Sequence, residues 1–98
     1  MKLRWTARAR ADLLEITRYI ADDDPSAAAR WARNLRARAR NAARMPRAGR
    51  VVPEMHSQNL REVIVGNYRL VYRVGDGSVE VLTVFEGHRR IPISPRDH

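Results

Sequence analysis

The chain contains no cysteine. That excludes a disulfide framework and a thiolate metal site, and makes the cytoplasm the expected compartment. There is no apolar run approaching the ~20 residues needed to cross a bilayer, and no signal-peptide pattern. No glycine-rich phosphate loop, metal-ligand spacing or nucleophile–histidine–acid set is present, so neither a cofactor nor a metal is expected. There is no internal repeat and no domain boundary; the expectation is one domain over residues 1–98, with 91–98, which carries Pro92 and Pro95, as an extended, flexible tail.

What is present is basic charge, unevenly placed. The net charge is +8. Residues 1–50 hold 13 Lys+Arg against 5 Asp+Glu, and residues 51–98 hold 6 of each. Such an excess implies an acidic partner, either nucleic acid or an acidic protein segment. Arginine and alanine enrichment from a GC-rich genome is the plain alternative.

Leu60 to Arg90 organises the chain. It divides into three Val-, Ile-, Tyr- and Phe-rich runs, 60–65, 68–74 and 79–85, which suit antiparallel strands. Gly66-Asn67 is short enough for a tight hairpin turn, and Gly75 to Ser78 makes a looser one. Two hairpins fix a register. Val65 then faces Tyr68, Val63 faces Leu70 and Arg61 faces Tyr72; Val74 faces Val79, Tyr72 faces Val81 and Leu70 faces Thr83. Alternation puts Val63, Val65, Tyr68, Leu70, Tyr72, Val74, Val79, Val81, Thr83 and Phe85 on a core face, with Arg61 at its margin. The other face, Leu60, Glu62, Ile64, Arg69, Val71, Arg73, Glu80, Leu82 and Val84, is mixed and is expected to meet a partner. Arg73 is expected opposite Glu80.

Upstream, Lys2 to Trp5 is a strand candidate and Thr6 a helix N-cap. Ala9, Leu13, Ile16 and Ile20 recur at helical spacing. Asp24 and Pro25 suit the N-cap and first position of a second helix, running to about Met45, so the pair forms an antiparallel hairpin. Its inner stripe is Ala28, Trp31, Leu35, Ala39 and Ala42, with Trp31 as the expected core anchor. Arg30, Arg33, Arg36, Arg38, Arg40 and Arg44 cover the rest, as a basic surface for nucleic acid or simply a solvated one. Residues 46–59 form a surface loop pinned by Val51, Val52 and Met55. The fold class is α+β: an N-terminal strand, then an α-helical hairpin packed on one face of a mostly antiparallel sheet, in the order β-α-α-β-β-β.

WTARARADLLEI near the start, Tyr19-Ile20 before the acid-Pro break, Met45 to Arg50, and above all LREVIVGNYRLVYRV…VEVLTVFEGHRR carry a resemblance. In this order and spacing they resemble the RelE/ParE toxin superfamily of bacterial type II toxin–antitoxin modules, over nearly the whole chain. The resemblance implies two alternatives. A RelE-like member is a ribosome-dependent mRNA endoribonuclease. A ParE-like member inhibits DNA gyrase by binding. Both are neutralised by a cognate acidic antitoxin, ParD-like in the second case, in a hetero-oligomer that contacts DNA through the antitoxin. No tyrosine follows Tyr72, and the late general bases are limited to His88 and His98, so this chain looks more like ParE. For a ribonuclease the candidate catalytic set is Arg69, His88 and Arg89, with the arginines clamping phosphate. For antitoxin or target binding the candidates are Arg61, Arg69, Arg73, Arg89 and Arg90 on the sheet side, and Arg33, Arg36 and Arg40 on the second helix. Solvent exposure, or a bridge from Arg69 or Arg89 to Glu80 or Glu86, is the structural alternative to a phosphate clamp. Arg61 is expected to contact the helix hairpin or an antitoxin carboxylate.

Overall fold

The computed structural model describes residues 1–94. The elements are β1 (Lys2–Trp5), α1 (Ala7–Asp23), α2 (Pro25–Arg44), a 3-10 turn at Pro46–Ala48, β2 (Arg50–Val51), β3 (Leu60–Val65), β4 (Tyr68–Val74) and β5 (Ser78–Glu86). Local chemistry sets the helix ends. The Thr6 side chain accepts from the amide of Ala9 at 3.0 Å, satisfying one of the open donors of the first turn. Its hydroxyl donates to the carbonyl of Leu82 at 3.1 Å, which ties the start of α1 to β5. Asp24 serves both helices. Its amide donates to Ile20 O at 3.0 Å, and its carboxylate accepts from Ala27 N at 3.1 Å. Pro25 follows at the first position of α2, where its missing donor costs nothing.

The sheet order is β1-β5-β4-β3-β2. β1 lies parallel to β5, and the other pairs are antiparallel. The β3–β4 register is the one the hairpin turn dictates, with Val65 opposite Tyr68 and Arg61 opposite Tyr72. β4 and β5 begin as expected, with Val74 opposite Val79 and Tyr72 opposite Val81. Then the register shifts between Val71 and Tyr72: Val71 pairs with Thr83, leaving Leu82 as an extra residue, and Leu70 pairs with Val84 rather than Thr83. One extra residue exchanges the faces beyond it. Val84 therefore packs under the helices and Phe85 on the opposite side, the reverse of the alternation read from sequence. Asp12 of α1 fastens this bulge, accepting from Thr83 Oγ1 at 2.5 Å and Val84 N at 3.1 Å.

Two apolar clusters result. Under the helices, Leu13, Leu35, Ala39, Leu70, Tyr72 and Val81 are central. Trp31 is only partly buried, so the deep anchor of α2 is Leu35, which is 0% exposed. Ala28, Ala32 and Ala39 bring the helix too close to the sheet for an indole beneath it. The ring lies at the margin, edge-on to Tyr68 at 5.1 Å. The second cluster occupies the face expected to be open. Val52 and Met55 from the 46–59 loop cover Leu60, Val71, Leu82 and Phe85, and Ile91 and Ile93 pack beside them. The chain thus supplies its own partner for the mixed face, and Ile91 and Ile93 belong to a packed layer rather than a free tail. Residues 95–98, with His98, lie outside the described residues.

Candidate functional site

The strands converge on an ionic cluster on the outer face of the sheet. Glu62 of β3 is 1% exposed. Its carboxylate accepts from Arg50 Nε at 2.5 Å and from Arg69 Nε at 2.7 Å. Arg69, on β4, is 8% exposed. Its two terminal nitrogens donate to both carboxylate oxygens of Glu54 at 2.8 Å, a bidentate pair. The guanidinium also lies over the Phe85 ring, 5.0 Å from its centroid. The hydrogen bond to Glu54 and those to Glu62 hold Arg69 protonated more firmly than usual, against its burial. Glu54 is correspondingly held below the ordinary carboxyl value, chiefly by its bond to Arg69. Arg69 is thus bridged to Glu54 and Glu62, not to Glu80 or Glu86.

The other candidates are dispersed. Arg61 does not reach the helices: its guanidinium donates to the carbonyls of Gln58, Arg47 and Gly49 and fixes the 46–59 loop. Arg73 meets Glu80 at 3.3 Å, as the register requires, while its Nε is buried without a partner. His88 is 91% exposed, its Nδ1 2.6 Å from Glu86 Oε1; that contact leads the lowering of the Glu86 carboxyl. Arg89 and Arg90 are exposed in the turn after β5. With Arg8, Tyr19 and Tyr68 they line a cleft of about 420 Å³ between α1 and the end of β5. Arg33, Arg36 and Arg40 stand exposed on α2. The three ribonuclease candidates are therefore not gathered in one pocket: Arg69 is closed by Glu54 and Glu62, His88 stands in solvent beside Glu86, and Arg89 lines the cleft without them. Among the described residues, no group of His, Asp or Glu could hold a metal ion.

The sequence reading passed over Glu54, Glu62 and Arg50. Glu62 had a signal: it shares a face with Arg69, two positions diagonally across the β3–β4 ladder. Glu54 and Arg50 had none, since only the path of the loop brings them to Arg69.

An α+β fold with a helical hairpin on one face of a five-stranded mixed sheet is shared with solved toxins. A chain described as the chromosomal ParDE TA system from P. aeruginosa superposes with a TM-score of 0.72 at 20% identity, covering 88% of this chain and 95% of that one. The family model for the ParE toxin of type II toxin–antitoxin systems, parDE, matches residues 3–91. Y4kP of Sinorhizobium fredii is 36% identical over 93 residues, 93% of each chain. Toxin RelE2 of Caulobacter vibrioides is 40% identical over 81 residues, 82% of this chain and 88% of that one. The chain belongs to the ParE toxin family, the toxin side of a type II toxin–antitoxin system. An antitoxin is therefore its partner.

Proposed function

We propose that this toxin arrests growth by binding DNA gyrase in the cytoplasm, without cleaving RNA. The observation that carries this reading is the closure of Arg69 by Glu54 and Glu62. Ribonuclease chemistry must remove a 2′-hydroxyl proton, stabilise a pentavalent phosphate and protonate a leaving oxygen. Arg69 has its donors satisfied by two carboxylates, so a phosphate approaching it meets negative charge. His88 is a solvent-exposed ring held only by Glu86, and a loosely held base gains little from preorganisation. A binding toxin needs only a basic and apolar surface. Leu14 and Tyr19, 51% and 74% exposed on α1, together with the arginines of α2, supply one. The same helical hairpin is suited to an apolar helix from the acidic antitoxin, whose free segment folds on binding.

The ribonuclease reading draws on the relative named RelE2 and makes a different prediction. The protein is expressed without antitoxin and two readouts are followed. Gyrase poisoning gives double-strand DNA breaks and an SOS response while messenger RNA stays intact. Rapid codon-positioned mRNA cleavage, lost in His88→Ala and unaccompanied by DNA damage, overturns the assignment.

A further inference from the structure

We propose that α2 carries a docking face for the phosphate backbone of duplex DNA. Helix α2 has 20 residues and contains no aspartate or glutamate. At about 100° per residue, Arg30, Arg33, Arg36, Arg40 and Arg44 fall within an arc of ~120°. That arc lies away from Ala28, Leu35 and Ala39, which face the core. All five are exposed. None of the ion pairs among the described residues uses them; Arg44 bonds only Asn41, within the helix. By contrast Arg8, Arg50, Arg69 and Arg73 are all paired with carboxylates. The molecule neutralises Arg50, Arg69 and Arg73 on the sheet and leaves on α2 a row of like charges at helical spacing, which weakens a helix on its own.

The chemistry of the row favours a repeating anion over a protein. Between the arginines stand Ala29, Asn34, Ala37 and Asn41, with no aromatic or large aliphatic anchor of the kind that centres a protein interface. With a rise of ~1.5 Å per residue the row extends ~21 Å, against one phosphate per ~3.4 Å of a DNA strand. An α-helix enters the major groove of B-form DNA, whereas the A-form groove of duplex RNA is too deep and narrow. Contacts of this type position a protein without reading sequence. The choice of DNA rests on the gyrase reading, since gyrase works on duplex DNA; affinity for the duplex is measured without gyrase.

The test is anisotropy of the purified toxin with labelled duplexes of two unrelated sequences, each about two helical turns long, between ~50 and ~200 mM salt. The expected log–log slope is about −4.5, one ~0.9 increment for each of the five arginine-bound phosphates, and the same for both sequences. Arg33→Gln/Arg36→Gln/Arg40→Gln is expected to reduce that slope by about 3 units and to weaken low-salt binding more than ~10-fold. Its thermal midpoint should be unchanged or raised, because repulsion is relieved. Should the triple variant not fold, Arg33→Gln and Arg40→Gln singly should each remove about one unit of slope. Wild-type binding without salt dependence, or variants that bind like wild type, overturns the proposal. So does tighter binding to an RNA duplex or to an acidic peptide of equal charge, which assigns the row to that partner. DNA breaks in cells report separately on gyrase: duplex binding without breaks removes the gyrase reading and leaves the docking face.

Discussion

At Glu62 a single buried carboxylate decides what two arginines can do. It is 1% exposed and holds Arg50 on one carboxylate oxygen and Arg69 on the other. Removing one member of such a buried set strands the remaining charge, which costs ~3–5 kcal/mol. Glu62→Gln is expected to lose stability on that scale in urea unfolding, whereas Glu62→Leu combined with Arg69→Met should lose much less than the two single losses added. Glu54 works from the loop side and gives the cluster a pH dependence. Its folded carboxyl is held below the ordinary 4.5, chiefly by Arg69. A depressed folded value means that the stabilisation is present above the unfolded value and fades as pH falls through the folded one. Urea midpoints measured from neutral to acidic pH should therefore drop in the wild type below about 4.5. Glu54→Gln should start lower at neutral pH and converge with the wild type in acid. Parallel curves at every pH would show that Glu54 contributes nothing through its charge.

The helix elements follow their sequence closely, and α2 shows where packing goes beyond it. Trp31 is partly buried, edge-on to Tyr68, and its Nε1 is buried without a hydrogen-bond partner. Trp31→Ala should cost about 2 kcal/mol, below the ~3–5 kcal/mol of a fully buried tryptophan. Trp31→Phe should stay within about 1 kcal/mol of the wild type, because losing area is offset by removing an unpaired donor. A loss of ~4 kcal/mol on Trp31→Ala would mean that the indole is a core residue after all. Helix ends were legible because Thr6, Asp24 and Pro25 act within one turn of themselves. The β3–β4 register was legible because a two-residue turn leaves little freedom. The bulge at Leu82 was not: it is set by Asp12, 71 residues from Thr83, and a period-two pattern carries no record of such a contact. The ionic cluster was half legible for the same reason. Glu62 and Arg69 share a ladder, whereas Glu54 arrives from a loop whose path depends on Val52 and Met55 finding the outer face.

For the molecule as a whole, charge sets the kinetics of partnering more than the fold. The net charge of +8 resides in residues 1–50, and α2, with six arginines and no acid, carries the largest part of it. Association with the antitoxin should be steered by this field and slow markedly as salt rises from low to physiological levels. Stopped-flow mixing of the separated partners gives the on-rate directly; a rate independent of salt would show that the charge of α2 does not steer the encounter. One further property follows from the place of β1. It lies beside β5, with Lys2 opposite Ser78 and Trp5 opposite Val81, and the bond from Thr6 to Leu82 spans 76 positions of the chain. The helical hairpin is made early in synthesis but has no sheet to rest on until β4 and β5 emerge, and the first strand waits for β5. Pairings this distant form late and slowly. A ribosome stalled in the middle of this message carries no half-active poison. A stop codon or frameshift ahead of β5 removes Val79, Val81 and Val84 from the core under the helices, so truncation at any of those codons should leave no folded toxin.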